Sequence, residues 1–217
     1  MTGPGAGLGA DKTVRKRLSP TDWARQNFKG LLDPLGGFLI RLGLTPNAMT
    51  FLGLAGNIAA GAALSQGYMS LGGLLILVAA PFDALDGTMA RLMGQPSKFG
   101  GFVDSVTDRW SELAIFLGLL YFYLQSGNSL ACILVFAAAM GSVMVSYTKA
   151  RAEALGFDCN VGILSRLERF IVLGPALLLN QPWVALWVIA VLANVTAVQR
   201  ALYVRQQAMQ ARANPKS

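Results

Sequence analysis

Three stretches of this chain, residues 62–82, 113–148 and 170–199, contain no Asp, Glu, Lys or Arg. About 20 apolar residues span the hydrocarbon core of a bilayer as a helix, so each stretch can complete one crossing or make a hairpin of two. That constraint points to an all-α integral membrane bundle. Composition agrees: 54% of the 217 residues are hydrophobic and 13% are charged, against about 25% charged in a soluble domain. The mean hydropathy is +0.50.

Apolar runs fall at about 48–66, 69–91, 101–125, 128–153, 163–180 and 183–205. They predict six transmembrane helices. The outer turns are short: Gln66-Gly67, Ser126-Gly127-Asn128 and Asn180-Gln181-Pro182. The inner connections are longer and basic. The net charge is +7 and the pI about 9.8. These charges follow a membrane pattern rather than a nucleic-acid one. By the positive-inside tendency, the charged face and both termini are cytoplasmic, in a cell (inner or plasma) membrane.

The expected organisation has four parts. Residues 1–19, Gly-rich and then basic at Lys12, Arg15, Lys16 and Arg17, read as a disordered cytoplasmic start rather than a signal peptide. Residues 20–44 read as an interfacial amphipathic helix, broken near Pro34-Leu35-Gly36-Gly37. Residues 45–206 form the six-helix transmembrane domain, and 207–217 a cytoplasmic tail. No internal repeat stands out. Gly53, Ala55, Gly56 and Gly61 suit close helix packing. Cys132 and Cys159 lie in different segments and read as small packing residues. The chain has no histidine, which excludes imidazole chemistry and the usual zinc sites.

Four acids break the apolar pattern. Asp83 and Asp86 end one apolar run, and Asp104 and Asp108 begin the next, in the spacing D-x2-D-G-x2-A-R-x8-G-x3-D-x3-D. A carboxylate in hydrocarbon costs about 2.5–3.5 kcal/mol on insertion scales unless it is paired or bound to a cation. On a helix, Asp83, Asp86, Gly87, Ala90 and Arg91 share one face, and so do Gly100, Asp104 and Asp108. Two antiparallel neighbours could therefore aim four carboxylates at one centre. Hard oxygen donors without His or Cys favour Mg2+ or Mn2+. Gly87 and Ala90 leave the face bare for a bulky ligand, and Arg91 suits a phosphate or diphosphate. The bland alternative has the acids solvated in a loop, pairing with Arg91, Lys98 and Arg109. Helical spacing against long apolar runs argues against it.

The stretch Asp83 to Asp108 resembles the signature of the CDP-alcohol phosphotransferase family at every fixed position, and the resemblance extends over residues 38–205. It implies transfer of a phosphatidyl group from CDP-diacylglycerol to an alcohol, with CMP leaving. It implies two metal ions held by Asp83, Asp86, Asp104 and Asp108, with Asp108 also the general base. Thr45-Pro46-Asn47-Ala48 with Thr50 resembles the family's T-P-N-x2-T segment. With Gly87, Ala90, Arg91 and Ser97, these residues are the implied CDP-lipid contacts. Thr45 or Asn47 also reads as a helix cap, which is compatible with a ligand contact.

A basic cluster bears on the acceptor. Lys149, Arg166, Arg169 and Arg200 approach the charged face from three helices. As a set they favour an acceptor that already carries a phosphate over ordinary positive-inside flanking. The segments Ser146-Tyr-Thr-Lys-Ala-Arg-Ala-Glu153 and Glu168-Arg169, with the late Arg200, resemble the bacterial phosphatidylinositol phosphate synthases and related archaeal ether-lipid enzymes. That likeness implies inositol 1-phosphate as acceptor and a homodimer. The family's E-R-P-E-R reads Ser165-Arg166-Leu167-Glu168-Arg169 here, without the first acid and the proline. Phosphatidylglycerophosphate synthases usually follow the third aspartate with Pro and the fourth with Lys; Ser105 and Arg109 stand here instead. The alternatives are glycerol 3-phosphate, free inositol or serine as acceptor. From another class comes an ion transporter, which would spread its carboxylates through the membrane depth.

Overall fold

Helix starts are written in the caps. Thr45 is extended (φ −100°, ψ 155°) and its hydroxyl accepts from the Ala48 N–H at 3.2 Å, with Pro46 in the first turn. Ser97 accepts from Gly100 N at 2.8 Å, and Asn128 Oδ1 from Ala131 N at 3.0 Å. The computed structural model describes residues 20–94 and 97–213, with side chains from residue 30 to 212. The segment 1–19, expected to be disordered, lies outside the described residues, as does the end of the tail. The described residues form seven helices and no strand: α1 Pro20–Arg41, α2 Pro46–Ser65, α3 Met69–Leu92, α4 Lys98–Gln125, α5 Ser129–Ala154, α6 Arg166–Leu178 and α7 Pro182–Ala213.

Three tight turns join α2 to α3, α4 to α5 and α6 to α7. Each contains a residue in the left-handed region, Gly67 (φ 83°), Gly127 (φ 69°) and Asn180 (φ 55°). Glycine and asparagine tolerate that conformation best, and all three stand in the turns expected from the sequence.

Four helices, α2, α3, α5 and α7, are long and apolar enough to cross a membrane. Large apolar side chains such as Leu71, Leu117, Ile133, Phe136 and Leu179 point outward, as they do in lipid. The chain is a membrane protein. α4 has 28 residues, but Lys98, Asp104, Asp108, Arg109 and Glu112 all fall within its first 15. α6 has 13 residues, a length of about 20 Å at 1.5 Å per residue.

α1 corrects one expectation. It runs unbroken through Pro34, where a break was expected. The proline ring would meet the carbonyl one turn earlier, at Gly30, and a Cβ at Gly30 would meet nothing within 4 Å, so that turn can adjust. Packing then holds the helix: Gly36 lies against Thr88, Met89 and Leu92 of α3, and Leu32, Leu39 and Ile40 join Met49, Leu85 and Met89.

The main core runs through α2 to α7, from Ala60 and Leu64 to Ile189 and Ala193. Small residues set its closest crossings. Gly53 and Gly56 face Asp83 and Ala79 of α3. Gly61 and Gly118 bring α2 and α4 backbone to backbone: a Cβ at Gly118 would stand 2.1 Å from the Gly61 carbonyl oxygen. Gly118→Ala is therefore expected to destabilise by about 1–3 kcal/mol. Gly101→Ala on the same helix, with open space around it, should be neutral or stabilising by up to about 1 kcal/mol. Thermal unfolding in detergent compares the two; equal melting temperatures would contradict the crossing.

Cys159 is fully buried, and burial pushes its thiol above the usual range. Both cysteines are free.

Candidate active site

Asp83 and Asp86 lie on the last turns of α3, Asp104 and Asp108 on the first turns of α4. Asp86 is buried; the other three are half-buried. All four belong to one electrostatic cluster. Asp86 feels Asp83 and Asp104, while Asp108 feels Asp104 and Asp83. The two acidic faces come within electrostatic reach of each other, but α3 and α4 are not the packed neighbours expected: each packs along α2.

Neighbouring groups compensate that charge. Thr50 donates to Asp86 Oδ2 at 2.6 Å, tying the first turns of α2 to α3. Arg166, the first residue of α6, sits between the helices, with Nη2 at 2.6 Å from Asp83 Oδ2 and Nη1 at 2.7 Å from Asp108 Oδ1. Arg109 stands 3.8 Å from Asp108 and donates to the Ser105 carbonyl. Among the described residues, no three acidic side chains stand together as a ready cage for an ion. The donor chemistry nevertheless fits a hard divalent cation: four carboxylates within electrostatic reach of one another, two of them bridged by a guanidinium.

The expected CDP-lipid contacts gather at the same end. Thr45 and Pro46 cap α2, and Asn47 is exposed beside Gly100, whose Cβ position is 3.9 Å from Asn47 Oδ1. Ala48, Gly87 and Ala90 are half-buried, and Thr50 is buried. Arg91 is exposed and bonds Thr88 at 2.9 Å. Ser97 caps α4.

The basic set is divided. Lys149 pairs with Glu153 at 3.7 Å. Arg169 is 2% exposed and grips Glu112 with Nε at 2.5 Å and Nη2 at 2.9 Å. Arg200 is buried, donating to Val145 O at 2.5 Å and Val161 O at 2.8 Å. Arg169 lies within electrostatic reach of Arg200, and Lys149 and Arg200 both flank Cys159, so these three keep one neighbourhood. Thr196 of α7 accepts from Ile163 and Leu164 N–H groups, holding the chain that leads into α6.

Sequence reasoning missed Glu112 as the partner of Arg169, although Asp104, Asp108 and Glu112 recur every four residues on one face. It also missed Arg166 as the counter-ion of Asp83 and Asp108.

A helical membrane protein with four electrostatically coupled aspartates and a set of cations at the same end defines a narrow class. The sequence model for CDP-alcohol phosphatidyltransferase matches residues 43–199. The chain is similar to phosphatidylinositol phosphate synthase of Streptomyces avermitilis, 36% identical over 222 residues that cover 94% of this chain and 90% of that protein. It is also similar to archaetidylinositol phosphate synthase of Pyrococcus horikoshii, 36% identical over 177 residues covering 81% and 92%. The crystal structure of Mycobacterium tuberculosis phosphatidylinositol phosphate synthase with CDP-DAG bound superposes with a TM-score of 0.75 at 32% identity, covering 80% of this chain and 92% of that one. The same Mycobacterium protein has been solved in complex with manganese and citrate, at the same TM-score. The chain belongs to the CDP-alcohol phosphatidyltransferase family, and it is a transferase.

Proposed function

We propose that this enzyme transfers the phosphatidyl group of CDP-diacylglycerol to inositol 1-phosphate, giving phosphatidylinositol phosphate and CMP. The observation that carries the reading is the clustering of all four aspartates beside Arg166, with Lys149, Arg169 and Arg200 in a second basic neighbourhood at the same end. Relatives named for this product and a similar structure titled with CDP-DAG support it.

Asp83, Asp86, Asp104 and Asp108 would hold the divalent metal, Mg2+ or Mn2+, as two ions by family resemblance. When bound, the metal neutralises the diphosphate and the departing CMP. The chain's own residues do the rest. Thr45, Pro46, Asn47, Ala48, Thr50, Gly87, Ala90, Arg91 and Ser97 line the approach of the CDP-lipid. Lys149, Arg166, Arg169 and Arg200 form the basic set for the acceptor phosphate, Arg169 sharing its guanidinium with Glu112 and Arg200 acting from a buried position. Asp108 takes the proton from the acceptor hydroxyl. The oxygen then attacks the lipid-side phosphorus and the bond to CMP breaks. A carboxylate among cations is a weak base, so positioning does more than basicity.

The wider reading is of six spans, with α4 and α6 added to the four apolar helices. α1 lies along the interface, residues 45–206 form the catalytic domain, and the active site and both termini face the cytoplasm. The enzyme is a homodimer. The lysines and arginines at the acidic end favour that orientation.

The test is CMP release by purified protein with CDP-diacylglycerol and Mg2+, offering inositol 1-phosphate, free inositol, serine or glycerol 3-phosphate in parallel. Release with inositol 1-phosphate alone is expected. Release only with another acceptor would overturn the phosphate-pocket assignment. EDTA should abolish release, and added Mg2+ or Mn2+ should restore it; turnover that persists in EDTA would contradict the metal assignment.

A further inference from the structure

The ion pairs of α6 form a ladder. Glu112 lies one turn beyond Asp108 on α4, and Arg169 one turn beyond Arg166 on α6. The lower rung is buried and bidentate, with Nε at 2.5 Å and Nη2 at 2.9 Å from the two Glu112 oxygens, and the side chains 2% and 9% exposed. A planar fork gripped at both prongs fixes the rotation and height of a helix better than a point contact does.

The upper rung is different. Nε of Arg166 is buried without a hydrogen bond, and the two terminal nitrogens each meet a different carboxylate, Asp83 at 2.6 Å and Asp108 at 2.7 Å. Charge holds this guanidinium, supported by the Phe170 ring at 5.1 Å. These contacts hold the tip of the side chain, while the height of its backbone on α6 is fixed one turn further on, at Arg169. Glu112 also acts on Arg166 directly through its charge.

We propose that Glu112 is a positioning residue: through Arg169 it seats Arg166 against Asp83 and Asp108, where the guanidinium competes with a divalent cation for the same carboxylates. This rests on the assignment of the four aspartates as the cation ligands. A purely structural ion pair would affect melting temperature and the fraction of active protein, but not cation affinity.

Mn2+ binding to the full-length protein in detergent, followed by electron paramagnetic resonance, reads the difference. The set is wild type, Arg166→Gln, Glu112→Gln and the double variant Glu112→Gln with Arg169→Met. The double variant leaves no orphaned buried charge, and such neutral replacements are often tolerated. Arg166→Gln is expected to bind Mn2+ about tenfold more tightly, the scale of one ion pair. Glu112→Gln and the double variant should also bind it about threefold or more tightly. Loss of the Glu112 charge alone acts in the opposite direction, because removing a negative charge weakens a nearby cation site. In the double variant the lost Arg169 charge offsets it, so tightening in Glu112→Gln is the reading that reports a loosened Arg166. Normal wild-type binding with unchanged or weaker binding in both anchor variants overturns the proposal. So does an Arg166→Gln variant that binds no better than wild type. Wild-type protein that binds no Mn2+ overturns the ligand assignment, and this proposal falls with it.

Discussion

Asp108→Asn is expected to lower kcat by about a thousandfold, in the middle of the range for loss of a general base. Asparagine keeps the shape of the side chain, so the effect isolates charge and proton affinity. Three functions meet at this carboxylate: a place in the acidic cluster, the 2.7 Å pair with Arg166 and the proposed base. The proposed CDP-lipid contacts lie mainly on α2, on the end of α3 and at Ser97, so CDP-diacylglycerol binding should be largely kept. The comparison is single-turnover CMP release against CDP-lipid affinity in the same preparation. Turnover within about tenfold of wild type would remove Asp108 from the role of base.

Arg169→Met should produce the largest loss of stability of any single substitution considered. It leaves the Glu112 carboxylate buried with no partner, and breaking such a pair from one side costs about 3–5 kcal/mol. For a chain of this size each kcal/mol moves the midpoint by about 2–4 °C. The midpoint should therefore fall by roughly 10 °C. Adding Glu112→Gln should recover most of that loss, because the penalty comes from the unpaired charge. A single variant that melts within about 2 °C of wild type would show that Glu112 is hydrated or neutral in the folded protein.

Helix positions were legible in the sequence where charge and turn chemistry both spoke. The runs expected at 69–91 and 128–153 became Met69–Leu92 and Ser129–Ala154. Gly67, Gly127 and Asn180 mark the α2–α3, α4–α5 and α6–α7 turns in three of the least ambiguous letters available. The run expected at 163–180 shortened to Arg166–Leu178, because Ile163 and Leu164 give their N–H groups to Thr196 instead of to a helix. Pro34 misled because local propensity was weighed without the packing of α1 on α3.

The acidic face was legible for a simple reason. Carboxylates at helical spacing against apolar runs are costly, so their convergence must be compensated. The identity of the compensating group was not legible. Arg166 lies 83 positions from Asp83 and Arg169 lies 57 from Glu112 along the chain, and no local rule pairs them. From sequence, four cations near one membrane face look alike. In the fold one bridges the aspartates, one is locked to Glu112, one is spent on backbone carbonyls and one remains on the surface.

The place of Arg166 bears on how the protein is made. Many small metal sites are unfolded until their ion arrives, so that binding and folding are one event. Here the carboxylates already have a resident cation supplied by the chain itself. On the proposed ligand assignment, Arg166 offsets part of the carboxylate repulsion from within the chain, so a newly inserted polypeptide would need less help from a bound ion to reach its native packing.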